Sequence, residues 1–315
     1  MKILVVLPLD ERQKEKLERN FRQEFIYCPV AEVTEEVLKD AEVILGNVPP
    51  EILHGAHELK WLQLNNAGTE GYCDGVLPEG VILTNATGAY GPAISEYMIG
   101  VLFELQKKLN LYHTHQLAHT WKREGHVRMI EGSRVLVLGL GDIGTAFARK
   151  MKALGCRTVG IKRRDGRKPD GVDDLYTLER LEQELPKADI VAMCLPGNDN
   201  TYYFMNRERL GKLKKEAVLL NVGRGMTLDT EALTEALQEG RLAGAALDVT
   251  DPEPLPAEHP LWDMRNVILT PHISGGYTQP EILERILDIC IENLECYLVQ
   301  RPMRNVIDFE TGYCQ

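Results

Sequence analysis

The stretch Arg134-Val-Leu-Val-Leu-Gly-Leu-Gly-Asp-Ile-Gly-Thr145 decides the fold. An apolar run, Val135 to Leu138, breaks at Gly139-Leu-Gly-Asp-Ile-Gly144 and continues as Thr145-Ala-Phe-Ala-Arg-Lys-Met-Lys-Ala-Leu154, which has helical character. Strand, glycine turn and helix in that order make a dinucleotide site. In such a site Gly139 allows the tight turn, Gly141 lets a pyrophosphate approach the backbone, and Gly144 lets the helix pack on the strand. The pyrophosphate then rests on the free N–H groups and positive dipole end of the helix. A bare GxGxxG arises by chance in a chain with 27 glycines. The strand before this one and the helix after it are what give it meaning, and its expected contacts are Gly139, Gly141, Asp142, Ile143 and Gly144.

Composition removes several classes of function. At 315 residues two domains are the default, and 44% apolar residues suit an ordinary globular core. A net charge of −11 and a pI near 5.3 argue against nucleic acid or an anionic membrane as the main partner. No apolar run approaches the ~18 residues of a membrane span. The segment Met1-Lys-Ile-Leu-Val-Val-Leu-Pro8 is shorter than a signal-peptide core and has the character of a first β-strand. The seven cysteines, at 28, 73, 156, 194, 290, 296 and 314, are scattered without a CxxC. That pattern suits the reducing cytoplasm and offers neither a disulfide framework nor a zinc site.

Strands and helices alternate along the first hundred residues. Lys2–Leu7, Phe25–Cys28, Val43–Gly46, Leu59–Leu64 and Val81–Asn85 have strand character, and Glu11–Asn20, Thr34–Asp40 and Pro50–Ala56 read as helices. This small α/β region has no GxGxxG and is the candidate substrate domain. A long apolar helix opens at Gly91-Pro92 and runs to Lys108. Beyond it, His115 and His119 are four apart and could share a helix face, but without the Glu of HExxH a metal site is not expected. From Arg134 onward six strand-like runs follow, Val135–Leu138, Thr158–Ile161, Ile190–Leu195, Ala217–Val222, Ala245–Val249 and Val267–Leu269, with helices between them. They predict a doubly wound parallel sheet of dinucleotide-binding type. The last helix, Glu281 to Leu298, is expected to return to the first domain.

In an open α/β sheet, ligands bind beyond the carboxyl ends of the strands. That rule selects Gly139 after the first strand, Lys162-Arg163-Arg164 after the second, and Pro196 after the third. After the fourth comes Asn221-Val222-Gly223-Arg224-Gly225; after the fifth, Asp248 and Glu253; after the sixth, His272. Singly, such an Arg is a surface charge, such a Glu is solvated and such a His is a turn residue. Jointly they converge on the place where a cofactor would lie. A guanidinium can hold a carboxylate bidentately, and an imidazole can exchange a proton with an oxygen at neutral pH. A carboxylate touching that imidazole fixes its orientation and supports its charged form. Together these are a hydride-transfer site for a 2-keto or 2-hydroxy acid.

Gly139-Leu-Gly-Asp-Ile-Gly144, Asn221-Val-Gly-Arg-Gly225, Ala245-Ala-Leu-Asp-Val249 with Glu253-Pro-Leu-Pro256, and Pro260-Leu-Trp262 followed by Asn266-Val-Ile-Leu-Thr-Pro-His272 resemble the D-isomer-specific 2-hydroxyacid dehydrogenases. The resemblance covers nearly the whole nucleotide domain and extends more loosely to Asn66-Ala-Gly-Thr69. It implies a Rossmann nucleotide domain over 99–284 and a flavodoxin-like α/β substrate domain split between 1–98 and 285–315. It further implies a cleft between the domains and a homodimer built through the nucleotide domains. The carboxylate of a small-molecule substrate would be bound by backbone N–H groups at Ala67 and Gly68 and by Arg224. The catalytic residues would be Arg224, Glu253 and His272, with Asp248 hydrogen-bonded to the nicotinamide amide. The remaining cofactor contacts would come from Lys162, Arg163, Arg164, Leu195, Pro196, Thr201, Val222, His272 and Gly275.

One departure bears on the cofactor. NAD-preferring enzymes carry an acidic residue at the end of the second strand. Here that place holds Lys162, Arg163 and Arg164, with Arg167 and Lys168 close by and no carboxylate before Asp165. The expected cofactor is therefore NADP, with NAD as the alternative. Phosphoglycerate-type members place an Arg where this chain has Gly46-Asn-Val-Pro49, so small acids such as glyoxylate or hydroxypyruvate are favoured over a phosphorylated one. The competing readings are an NAD enzyme of phosphoglycerate dehydrogenase type and, in a different class, a non-catalytic cofactor sensor resembling the corepressors of this fold. A formate-dehydrogenase-like activity is disfavoured by Glu253.

Overall fold

The structure, a computed structural model, describes residues 1–276 and 279–314. It divides into two compact units, Met1–Tyr90 with Tyr277–Gln315, and Gly91–Gly276.

In the first unit β1 (Lys2–Val5), β2 (Glu24–Tyr27), β3 (Val43–Leu45), β4 (Trp61–Gln63) and β5 (Ile82–Thr84) form one parallel sheet in the order β2-β1-β3-β4-β5. This is the flavodoxin-like order. Its inner strands β1, β3 and β4 are largely apolar because both faces are covered, and Leu4, Ile44, Leu62 and Leu83 are fully buried. Helix Glu11–Glu18 starts at Asp10, whose side chain accepts the Gln13 N–H at 2.8 Å while Gln13 accepts the Asp10 N–H at 3.1 Å. The same Gln13 donates to Glu284 at 2.9 Å, tying this helix to the tail helix Pro280–Leu298. The tail helix buries Leu283, Ile286, Leu287, Cys290 and Leu294 on one face. Two expected helices contract. Thr34–Asp40 keeps only Glu35–Leu38, and Pro50–Ala56 becomes a 3-10 helix over Pro50–Gly55. Pro49 and Pro50 supply no N–H, and the few residues left before the chain turns cannot build an α ladder.

In the second unit β6 (Arg134–Leu138), β7 (Arg157–Lys162), β8 (Asp174–Thr177), β9 (Ile190–Met193), β10 (Val218–Asn221), β11 (Gly244–Leu247) and β12 (Val267–Leu269) pair in the order β12-β11-β10-β9-β6-β7-β8, all parallel. Six of these are the Rossmann set and β12 extends it. The winding direction reverses between β6 and β9, and the glycine turn opens at that switch point. Strand β8 was not anticipated: Asp174-Leu-Tyr-Thr177 is a short, half-buried edge whose apolar content is too small to mark it in the sequence. Helix Gly91–Lys107 packs on helix Asp142–Ala153 and over β10, β11 and β12. Its buried Ile94, Met98, Val101 and Leu102 are therefore covered by the second unit. The chain accordingly divides between residues 90 and 91 and between 276 and 277, not at 98/99 and 284/285.

His115 and His119 do not share a helix face. The helix here is Leu109–Leu117, and His119 lies beyond it with φ +51°. Among the described residues no helix is long and apolar enough to cross a membrane.

The glycine turn is held by close backbone approach. Gly139 adopts φ +89°, and a Cβ there would stand 2.6 Å from the Cys194 carbonyl oxygen. A Cβ at Gly144 would stand 1.9 Å from the Gly139 oxygen, whereas one at Gly141 would meet nothing within 4 Å. Gly144→Ala is therefore expected to cost about 2–3 kcal/mol through backbone displacement, about 5–10 °C in Tm for a domain of this size. Gly141→Ala should leave Tm within about 2 °C. Thermal unfolding followed by circular dichroism measures both, and equal Tm values for the two variants would contradict the packing described.

Candidate active site

The carboxyl ends of the second unit's strands are joined, backbone to backbone, in sheet order. Gly139 after β6 lies against the Cys194 carbonyl after β9. A Cβ at Gly223, after β10, would stand 2.2 Å from the Leu195 oxygen, and one at Gly225 would stand 1.9 Å from the Thr250 oxygen after β11. The loops that carry the candidate residues are thus packed at contact distance, and glycine is the only residue that permits it.

The first loop suits a phosphate. Gly141 is the N-cap of the twelve-residue helix Asp142–Ala153, with extended backbone and no side-chain cap. The Ile143 and Gly144 N–H groups meet no acceptor among the described residues, and the open space at Gly141 lets an external one approach. A pyrophosphate fits this cradle. The Asp142 carboxylate accepts the Gly91 N–H at 2.8 Å, at the start of helix Gly91–Lys107. At the end of β7, Lys162 is half-buried and Arg163 and Arg164 are exposed, while Lys168 donates to the Asp173 carbonyl at 2.9 Å.

After β9 come Cys194, Leu195 and Pro196. Burial pushes the Cys194 thiol up to about 12, so it stays protonated at neutral pH. Thr201 donates to the Pro196 carbonyl at 2.7 Å and closes this loop on itself. After β10, Asn221 is fully buried. Its Oδ1 accepts the Gly223 N–H at 3.1 Å and its Nδ2 donates to the Arg224 carbonyl at 3.2 Å, while Thr227 Oγ1 donates to the same carbonyl at 2.7 Å. Val222 is buried in this turn. Arg224 is presented on a backbone held from three sides, and its Nη1 donates to the Gly223 carbonyl at 2.8 Å.

The last two strand ends bring Glu253 and His272 together: His272 Nδ1 lies 2.7 Å from Glu253 Oε1. The two side chains are 47% and 43% exposed, so the pair faces solvent. With Nδ1 committed to Glu253, Nε2 is the ring nitrogen left to exchange a proton with a ligand. Asp248 has a different setting. It is 1% exposed, and its carboxylate accepts from Thr270 Oγ1 at 2.6 Å, the Ile273 N–H at 2.9 Å and the Ser274 N–H at 3.0 Å. An expected bond to a nicotinamide amide falls to the one acceptor position left, on Oδ2. Gly275 follows in the same turn.

In the first unit, the loop after β4 has its carbonyls taken. Ala86 N–H donates to Asn66 O at 2.9 Å and Asn85 Nδ2 to Ala67 O at 2.7 Å. The N–H groups of Ala67 and Gly68 donate to nothing among the described residues and remain available to an anion. No cluster of three or more His, Cys, Asp or Glu side chains suited to a metal ion occurs among the described residues.

Sequence reasoning overlooked Asn221 as the lock of the Arg224 turn, Gly223 and Gly225 as its contacts, and Gly91, whose Cβ would stand 2.2 Å from Asp142 Oδ1. The string Asn-Val-Gly-Arg-Gly carried the first three, since an Asn before two glycines marks a side-chain-braced turn. Nothing near Gly91 in the sequence points to residue 142.

The NAD binding domain of the D-isomer specific 2-hydroxyacid dehydrogenases matches residues 99–274. A glyoxylate reductase of Thermofilum pendens is 32% identical over 269 residues, covering 81% of this chain and 77% of that protein. A D-isomer specific 2-hydroxyacid dehydrogenase family protein of Aeromonas salmonicida superposes with a TM-score of 0.87 at 30% identity, over 98% of this chain and 99% of that one. The D-isomer specific 2-hydroxyacid dehydrogenase of Xanthobacter autotrophicus, solved with NADPH and MES, gives 0.84 at 26% identity over 99% of each chain. These likenesses place the chain: it belongs to the D-isomer specific 2-hydroxyacid dehydrogenases, nicotinamide-dependent oxidoreductases of 2-hydroxy acids.

Proposed function

We propose that this enzyme reduces small 2-keto acids, glyoxylate or hydroxypyruvate among them, to D-2-hydroxy acids with NADPH as its preferred donor. The observation that carries the cofactor choice is the end of β7. Lys162, Arg163 and Arg164 stand there with Arg167 and Lys168 following, and no carboxylate precedes Asp165. A ribose 2′-phosphate meets several cations at that point, while an unphosphorylated ribose lacks its usual acceptor. The glyoxylate reductases among the relatives support the substrate class, and the NADPH bound to the Xanthobacter protein supports the cofactor.

When bound, the nicotinamide supplies the hydride that forms the new C–H bond. Arg224 pairs with the substrate carboxylate and draws electron density from the keto oxygen. His272 gives the proton on Nε2 to that oxygen as it becomes an alkoxide, completing the 2-hydroxy acid. Glu253 accepts the Nδ1 proton in a hydrogen bond and keeps the ring in one orientation. In the first unit, the N–H groups of Ala67 and Gly68 are the candidate donors to a carboxylate.

A homodimer formed through the second unit is the assembly we assign. Leu109, Leu117, Trp121, Val127 and Met129 are all exposed within twenty-one residues (109 to 129), an apolar concentration of the kind a second copy covers. Light scattering should give about 71 kDa (2 × 35.5) for the enzyme, and Trp121→Glu with Met129→Glu should move it towards the monomer; a monomeric wild type refutes this assembly.

Two further outcomes test the chemistry. His272→Asn should lower kcat by about 10²–10⁴-fold, and a variant within tenfold of wild type would remove His272 from the proton step. Reversing charge at Arg163 and Arg164 should raise the Kd for NADPH about 100-fold, the loss of two charge-assisted phosphate contacts, with the Kd for NADH changed less than threefold. Equal loss for both cofactors counts against the 2′-phosphate site. Initial rates with each cofactor against glyoxylate, hydroxypyruvate, pyruvate and a bulkier keto acid rank the substrates. Tight cofactor binding with no turnover on any acid favours the sensor instead.

A further inference from the structure

His272 occupies a backbone conformation that its side chain does not favour. Its φ is +54°, in the left-handed region where a residue with a Cβ is strained. Such a conformation persists only where the surroundings over-determine it. Here the His272 N–H donates to the Asp248 carbonyl at 2.9 Å, and the N–H groups of the next two residues both donate to the Asp248 carboxylate. Asp248 therefore grips the turn from both its backbone and its side chain. Its third donor is the Thr270 hydroxyl at 2.6 Å, two residues before the histidine. Among the described residues Asp248 makes no ion pair, so these three donors alone compensate a buried carboxylate.

The chain of hydrogen bonds extends one group further. Tyr97 Oη, on helix Gly91–Lys107, lies 2.5 Å from Thr270 Oγ1. A threonine hydroxyl has one proton, and it is given to Asp248; the bond to Tyr97 must therefore be donated by the phenol. Burial pushes the Tyr97 phenol up to about 12, which keeps it a donor throughout the neutral range. The same helix begins at Gly91, held by the Asp142 carboxylate of the glycine turn.

Resting on the assignment of His272 as proton donor, we propose that Tyr97 and Thr270 are positioning residues for the reaction: the relay Tyr97 → Thr270 → Asp248 sets the turn that aims His272. Neither side chain touches the reacting atoms in this scheme; both act through Asp248.

The relay is tested by removing hydroxyls at nearly constant shape, with Tyr97→Phe, Thr270→Val and, as the conservative control, Thr270→Ser. Tyr97→Phe and Thr270→Val should each lower kcat about tenfold, with the Kd for NADPH from fluorescence titration unchanged. The solvent deuterium isotope effect on kcat should grow, because proton transfer from a misaligned imidazole becomes limiting. Thr270→Ser should return kcat to within about threefold of wild type. The double variant should fall no further than the worse single one, as expected of groups in one relay. A general loss of packing would instead lower Tm and weaken cofactor binding without the isotope effect, and the serine would not distinguish itself from the valine. If Tyr97→Phe fails to fold, the valine–serine pair at 270 carries the test alone. Wild-type kcat and isotope effect in Tyr97→Phe and Thr270→Val overturn the proposal. His272→Asn measured alongside separates the two readings: a low kcat there with intact relay variants sinks the relay only, and a wild-type kcat there sinks the assignment on which it rests.

Discussion

The structure depends on how low one helix lies on one strand. Helix Asp142–Ala153 approaches β6 so closely that a Cβ at residue 144 would stand 1.9 Å from the Gly139 carbonyl. Two further glycines accommodate the same crowding. A Cβ at Gly160 of β7 would meet the Leu140 side chain at 2.1 Å, and one at Gly171 would meet the Arg149 Cα at 2.3 Å. The helix buries Ala146, Phe147, Ala148 and Met151 on its inner face. Apolar burial of this kind favours close approach, and glycine removes the side chains that would oppose it. The start of the helix is consequently held at the switch point.

The same device repeats along the strand ends. Gly139 touches the loop after β9, Gly223 touches that loop again, and Gly225 touches the loop after β11. Adjacent loops therefore share backbone contacts from the glycine turn to the segment before Glu253. Arg224 stands between two of these contacts, its carbonyl bound by Asn221 and Thr227. From β11 to β12 the connection changes character: a buried carboxylate, Asp248, replaces glycine as the link. Arg224 and His272 thus leave from turns whose backbone is held by hydrogen bonds, as the proposed chemistry requires.

The sequence disclosed this architecture where local chemistry was enough. Apolar runs alternating with helices announced two parallel sheets, and the rule that ligands bind at strand carboxyl ends singled out Arg224, Glu253 and His272 before any contact was known. The hydrogen bond between Glu253 and His272 joins residues nineteen apart whose loops face each other for no reason visible in either loop alone. Strand β8 escaped because a half-buried edge needs few apolar residues. Tyr97 escaped for the opposite reason. Among Ile94, Met98, Val101 and Leu102 it reads as one more aromatic filling a core, and its partner lies 173 residues away. Asp248 is legible in the sequence as a strand-end acid, but its burial and three protein donors are properties of the folded turn.

Burial and exposure are divided between Asp248 and His272 in a way the proposed chemistry requires. A group that exchanges protons with a small ligand has to be reachable, and His272 is 47% exposed. An exposed side chain cannot take its orientation from close packing, and a single hydrogen bond between two half-exposed groups fixes it weakly. Orientation must then come from the backbone that carries the ring. A left-handed turn supplies a well-defined direction but relaxes unless its N–H groups are held. A carboxylate can hold several at once and does so most strongly where water is excluded. The cost of desolvating that carboxylate is offset only if every acceptor position facing the protein is filled. Asp248, 1% exposed with Thr270, Ile273 and Ser274 donating to it, meets this condition. A buried acid thus gives a solvent-facing histidine the fixed geometry that its own surroundings cannot provide.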